Sequence, residues 1–151
     1  MKRRVLFLAS IILCTVMAIG CCDCRKRAKL EKPLVGTEWQ LVQLMARDIN
    51  AAEGQYTLLF HDNGTITGAG DCNRLTATYS ITPSRSMHIA NLGSTRRLCA
   101  NHEQENAYYD MLECVTHYEM DADIMLLLSN GTLVGMMKAM PEDTNIDYLP
   151  L

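Results

Sequence analysis

The chain has 151 residues, 48% hydrophobic and 21% charged, enough for one domain with a real core and too few for two once a leader is set aside. Three of its 14 basic residues but none of its 17 acidic ones lie in the first 20 positions, so the remainder carries 11 basic and 17 acidic residues, a formal charge of −6. That balance argues against a nucleic-acid partner, because phosphate neutralisation needs Lys and Arg clustered on the binding surface.

Lys2, Arg3 and Arg4 lead into sixteen uncharged, mostly apolar residues, Val5 to Gly20, which stop at Ala18-Ile19-Gly20-Cys21. A basic start, an apolar run and small residues make an export signal. Its end resembles the lipobox of bacterial lipoproteins, with Ala18 where Leu is usual, and the resemblance implies cleavage before Cys21 and acylation of Cys21. As an uncleaved helix the run would reach only about 24 Å against a hydrocarbon core of roughly 30 Å. Residues 1–20 are therefore read as a lipoprotein signal peptide and 21–33 as a lipid-anchored basic tether, in which Arg25, Lys26, Arg27, Lys29 and Lys32 crowd behind Cys21. Such charges are attracted to anionic head groups by about 1 kcal/mol each, although a solvated linker has the same composition. The expected address is the cell envelope, facing the periplasm from the inner or outer membrane.

From residue 34 the chain reads as short strands. Trp39 and Leu41 alternate with Glu38, Gln40 and Gln43, and Tyr56 to Phe60 is rich in aromatic and β-branched residues. Asn63-Gly64 predicts a two-residue type I′ hairpin into Thr65-Ile66-Thr67, since both central positions of that turn need φ > 0. Gly68-Ala69-Gly70 fits a bulge or sharp bend. Further strands are expected at Arg74 to Ile81, Met87 to Leu92 and His117 to Met120, with turns at 83–86 and 121–123. A second Asn-Gly, Asn130-Gly131, joins Ile124–Leu128 to Thr132-Leu133-Val134. The Met-rich segment beyond it runs into a tail, 139–151, left unstructured.

One stretch has a different period. Ala107, Tyr108, Met111, Leu112 and Val115 form the stripe of an amphipathic helix, with Glu103, Glu105, Asp110 and Glu113 mostly off it. Asn101 and Gln104 have the spacing of a capping box, which places the helix at about 101–116. The fold class is thus mainly β: a small antiparallel barrel or curved sheet with one α-helix, its core filled by Trp39, Leu58, Phe60, Leu126 and Leu128.

Three segments resemble, in order, the signatures of the META domain family, whose bacterial members include the heat-shock lipoprotein HslJ. Leu34-Val35-Gly36-Thr37-Glu38-Trp39-Gln40-Leu41 matches its opening strand. Asp71-Cys72-Asn73 matches its Gly-Cys-Asn turn, with Asp71 in place of Gly. Ser94-Thr95-Arg96-Arg97-Leu98-Cys99 matches its Ser-Thr-Arg segment. The resemblance implies a META/HslJ-like domain at 34–138 of lipocalin-like topology, in envelope proteins tied to heat, stress or drug tolerance and without established catalysis. Gly36, Thr37, Trp39, Gly70, Asn73 and Thr95 would then shape strand ends and turns.

Seven cysteines look like a framework until sorted by position. Cys14 leaves with the signal, Cys21 is acylated, and Cys22 and Cys24 belong to the tether, leaving Cys72, Cys99 and Cys114. Cys72 and Cys99, in the two motif segments, either pair or remain buried thiols; a bridge closing about 28 residues would stabilise by roughly 3.5 kcal/mol. Neither state makes a nucleophile, which needs a histidine in reach and an orienting group. Cys99 with His102 and Cys114 with His117 suggest zinc, yet they flank the helix about 18 Å apart. Ten methionines and Cys22-Asp23-Cys24 invite Cu(I), but methionine in a small core is more often filler. The sequence therefore predicts no enzyme, metal or cofactor. It predicts a monomeric envelope lipoprotein with unidentified envelope partners and, as the alternative, a barrel that encloses an apolar small molecule or lipid tail.

Overall fold

The computed structural model describes residues 31–141; the signal segment, Cys21, the 22–30 stretch of the tether and the tail beyond 141 lie outside the described residues. Of the described residues, 32–141 form one compact unit. No helix among the described residues is long and apolar enough to cross a membrane.

The elements are β1 (Glu38–Leu44), β2 (Arg47–Asp48), β3 (Thr57–Phe60), β4 (Thr65–Ala69), β5 (Arg74–Ile81), β6 (Met87–Ser94), α1 (His102–Cys114), β7 (His117–Asp121), β8 (Ile124–Ser129) and β9 (Thr132–Ala139). All nine strands share one antiparallel sheet, ordered β6-β5-β4-β3-β1-β9-β8-β7, with β2 folded back on β1. Irregular register in β1/β9, β5/β6 and β8/β9 curves the sheet. It does not close into a barrel. Its outer strands β6 and β7 meet at a single bridge, Ser86 with His117, backed by Met87 N–H to the Thr116 carbonyl at 3.0 Å and Tyr118 N–H to the Arg85 carbonyl at 3.1 Å. Helix α1 joins those two strands, packs against β6 and seats Tyr108, Met111 and Leu112 in the core.

Alternation along the strands buries Trp39 and Leu41 of β1, Leu58 and Phe60 of β3, and Ile66 of β4. On β8 the buried pair is Met125 and Leu127, and the expected Leu126 and Leu128 are half-buried. The run Ile-Met-Leu-Leu-Leu carries no polar mark for its outer face, so only the register sets which side chains turn inward. Strand β9 runs to Ala139, with Met137 and Ala139 buried, so the Met-rich end is strand rather than the start of a tail.

The two Asn-Gly turns differ. Asn130 and Gly131 both have positive φ, 49° and 82°, as type I′ requires. At the other only Gly64 is positive, φ 80°, while Gly64 N–H bonds the His61 carbonyl and His61 N–H the Thr65 carbonyl; this is a three-residue loop with glycine in the left-handed position. The Gly68 segment holds no bulge: β4 pairs regularly with β3 and β5, and a Cβ at Gly68 would run into the Thr57 carbonyl. Glycine there permits close approach of two backbones.

Candidate functional site

Strands β4 and β6 end, and β5 and α1 begin, at one place, where the two cysteine segments meet. Cys72 and Cys99 are joined by a disulfide with Cα atoms 5.9 Å apart. The hub is Asn73, buried beside it. Its Oδ1 accepts from Thr95 Oγ1 at 2.9 Å and from Arg97 N–H at 2.8 Å, and its Nδ2 donates to the Arg97 carbonyl at 3.0 Å and to Glu105 Oε2 at 2.6 Å. Both backbone groups of Arg97 are therefore tied to one side chain. Thr95 adds an accepted bond from Arg74 N–H at 3.1 Å and a backbone bond to the Arg74 carbonyl at 3.0 Å.

Beneath this lies Glu105 of α1, only 3% exposed. Burial alone would raise its pKa, yet the carboxyl is held below its ordinary value by hydrogen bonds from the Asn73 side chain and backbone, Cys72 N–H and Tyr109. Oε1 accepts from Cys72 N–H at 3.3 Å and Asn73 N–H at 3.1 Å. Gly70 gives the carboxylate its room, since a Cβ there would collide with Glu105 Oε1 and the Tyr109 hydroxyl. The Tyr109 hydroxyl faces Glu105 and Ser94, and the Tyr56 hydroxyl faces Gln104. Burial, then the nearby Asp71 carboxylate, pushes the Tyr56 phenol up to about 12.

Above the hub the chain turns outward. Arg96, Arg97 and Leu98 are all exposed, and Leu98 is 93% exposed, far beyond the other large exposed hydrophobics Met45, Ile81 and Leu133. An open depression of about 400 Å³ beside it is lined by Thr95, Arg96, Arg97, His102 and Tyr109 among others.

Of the other residues singled out from sequence, Gly36 (φ 83°) donates its N–H to the Phe60 carbonyl at 3.0 Å. Thr37 is half-buried before β1, and Trp39 is fully buried with its indole N–H on the Leu34 carbonyl at 3.1 Å. Asn101 occupies the N-cap of α1 but makes no side-chain cap bond; its amide reaches Asp71 Oδ1 at 3.3 Å instead, so the expected capping box is absent. The helix ends at Cys114 rather than 116. Cys114 is a free, exposed thiol bonded to the Met111 carbonyl at 3.1 Å. Among the described residues no three His, Cys, Asp or Glu side chains are placed to hold a metal ion. Sequence reasoning did not pick out Glu105 or the 96–98 tip. The signal for Glu105 was present, because it stands three residues before Tyr108 and so continues the buried stripe.

The META domain family model matches residues 32–140, and the chain belongs to that family. No curated protein matches the sequence. Among solved structures, an NMR structure of a protein from Burkholderia xenovorans is 21% identical, covering 72% of this chain and 85% of its own, with a TM-score of 0.54. A second protein solved by NMR is 19% identical over 68% of this chain and 87% of its own, also at 0.54. A crystal structure of a DUF4847 family protein from Bacteroides vulgatus is 20% identical, covering 55% of this chain and 57% of its own, with a TM-score of 0.45; the alignment thus spans under two thirds of that relative. At these identities the likeness concerns the fold.

Proposed function

We propose that this META domain protein is a non-enzymatic lipoprotein of the cell envelope, held by lipid at Cys21 and facing the periplasm. In this reading it supports tolerance of heat, envelope stress or drugs by engaging an envelope component through the 96–98 tip. The observation that carries the reading is a fully exposed leucine between arginines and a disulfide, on a loop whose Arg97 N–H and carbonyl are both bound by Asn73. A loop fixed before contact loses little conformational freedom on binding, and arginine is enriched where interfaces concentrate their energy.

Two features favour this over the enclosed-ligand alternative and over catalysis. The curved sheet is filled by Trp39, Tyr56, Leu58, Phe60, Tyr108 and Met111, each at most 2% exposed, and a binder needs several hundred cubic ångströms of interior space. The buried ionisable group of the junction, Glu105, is occupied by bonds that hold the loops together rather than directed at a substrate.

The test is complementation of a deletion strain with the triple variant Arg96→Glu, Arg97→Glu, Leu98→Asp. It should reach wild-type protein level and membrane fraction yet fail to restore growth under stress. Full restoration would refute the tip as the working surface, whereas Cys21→Ser with normal processing and membrane attachment would refute the anchor.

A further inference from the structure

The two cysteines of the disulfide differ in exposure. Cys72 is exposed in the turn before β5, whereas Cys99 is 6% exposed. Around Cys99 Sγ lie Asn73 Nδ2 at 3.2 Å, Glu105 Oε2 at 3.4 Å and the Arg97 carbonyl at 3.5 Å. Thiol–disulfide exchange requires a thiolate to reach one sulfur and displace the other, so access selects the sulfur attacked.

We propose that Cys72 is a reversible S-thiolation site for small exported thiols of the cysteine or glutathione class, with Cys99 as its built-in resolving thiol. The incoming thiolate RS⁻ forms a bond to Cys72 Sγ. The Cys72–Cys99 bond breaks, its electron pair leaves on Cys99 Sγ, and that sulfur takes a proton from water. One disulfide and one thiol become one mixed disulfide and one thiol, so no external oxidant or reductant is consumed.

The surroundings of Cys99 then govern the return step. Glu105 Oε2, 3.4 Å away, is placed to accept the S–H of the released thiol, which keeps Cys99 seated in the junction. Asn73 keeps hold of the Arg97 N–H and carbonyl after the bond opens, so Cys99 remains within reach of Cys72. The released thiol can therefore attack in reverse and expel RS⁻. The exposed turn is modified while the Asn73 and Glu105 network stays assembled, and this holds whichever partner the tip engages.

The experiment uses the purified full chain in its oxidised form, with free thiols such as Cys114 first capped by iodoacetamide. The protein is then incubated with glutathione, quenched in acid and mapped by peptide mass spectrometry. Glutathione should be found mainly on Cys72 rather than Cys99, because access selects the sulfur attacked. Removing the free thiol should regenerate the Cys72–Cys99 bond and release glutathione. In Cys99→Ser, oxidised glutathione should load Cys72 and the adduct should persist after the same removal. Equal labelling of the two cysteines, labelling mainly on Cys99, or no adduct while the bond stays intact in millimolar thiol would each overturn the proposal. So would an adduct on the wild-type protein as persistent as that on Cys99→Ser.

Discussion

Replacing Asn73 by Ala removes one small side chain and, with it, the bonds that hold three segments together. The bond to Glu105 Oε2, at 2.6 Å to a buried carboxylate, is of the charged class and is worth about 1.5 to 3 kcal/mol. The bonds to Thr95 and to the Arg97 backbone reach groups near solvent, where water takes over part of their role, and together they add about 1 kcal/mol. The total is about 2.5 to 4 kcal/mol. For a domain of this size that corresponds to a fall in Tm of roughly 10 to 20 °C. Urea unfolding of the oxidised protein, followed by circular dichroism, should show a lower midpoint at unchanged slope. A double-mutant cycle with Glu105→Gln should return a coupling of about 1.5 to 3 kcal/mol. A loss below about 0.5 kcal/mol, the range of ordinary surface changes, would mean that the disulfide alone holds the loops.

Trp39→Ala empties a fully buried site and frees the Leu34 carbonyl, so it should cost roughly 3 to 5 kcal/mol by chemical denaturation. The carboxyl of Glu105 is held below its ordinary 4.5 in the folded state, so the unfolded chain takes up the proton first. Its stabilisation is present in full above that value and is lost as pH falls through the depressed one; the urea midpoint should drop as pH falls below 4.5, and Glu105→Gln should flatten the curve. Tyr56 has the opposite sense. With its phenol raised from 10.0 to about 12, its contribution is intact below 10 and lost as pH climbs through 12, so Tyr56→Phe should blunt alkaline unfolding. Single replacement of His61, His88, His102 or His117 by Ala should leave stress tolerance intact in a complementation assay, and a folded, localised but inactive histidine variant would bring a catalytic or metal reading forward.

The parts of the fold that could be read from sequence are those where a residue type answers a local constraint. Asn130-Gly131 names its turn because two successive positive φ values exclude most residues, and Trp39 with Leu41 names an inner face because polar neighbours mark the other. Where the local constraint is weak, the reading drifts. Asn63-Gly64 has the same letters, but the flanking register leaves only glycine left-handed. In Met125-Leu126-Leu127 every residue is acceptable inside, and pairing with β9 chooses. The motif segments told of a junction at Cys72 and Cys99. The spacing of Glu105 from Tyr108 marked a buried position, but what could not be read was which groups would satisfy a carboxylate 32 residues further on than Asn73, because only the tertiary meeting of four elements supplies its donors. The exposed 96–98 tip escaped for the converse reason: Arg-Arg-Leu reads as an ordinary loop until Asn73 is seen to fix its backbone.

In the proposed function the junction presents the 96–98 tip to an envelope component. This is tested most directly by placing a photo-crosslinking side chain at Leu98 and, separately, at Ile81, which is 43% exposed at the far end of β5, and irradiating intact stressed cells. A discrete adduct is expected from position 98, absent from position 81 and lost when Asn73→Ala is added. Identical adduct patterns from the two positions, or an adduct at 98 that survives loss of Asn73, would contradict the proposed function.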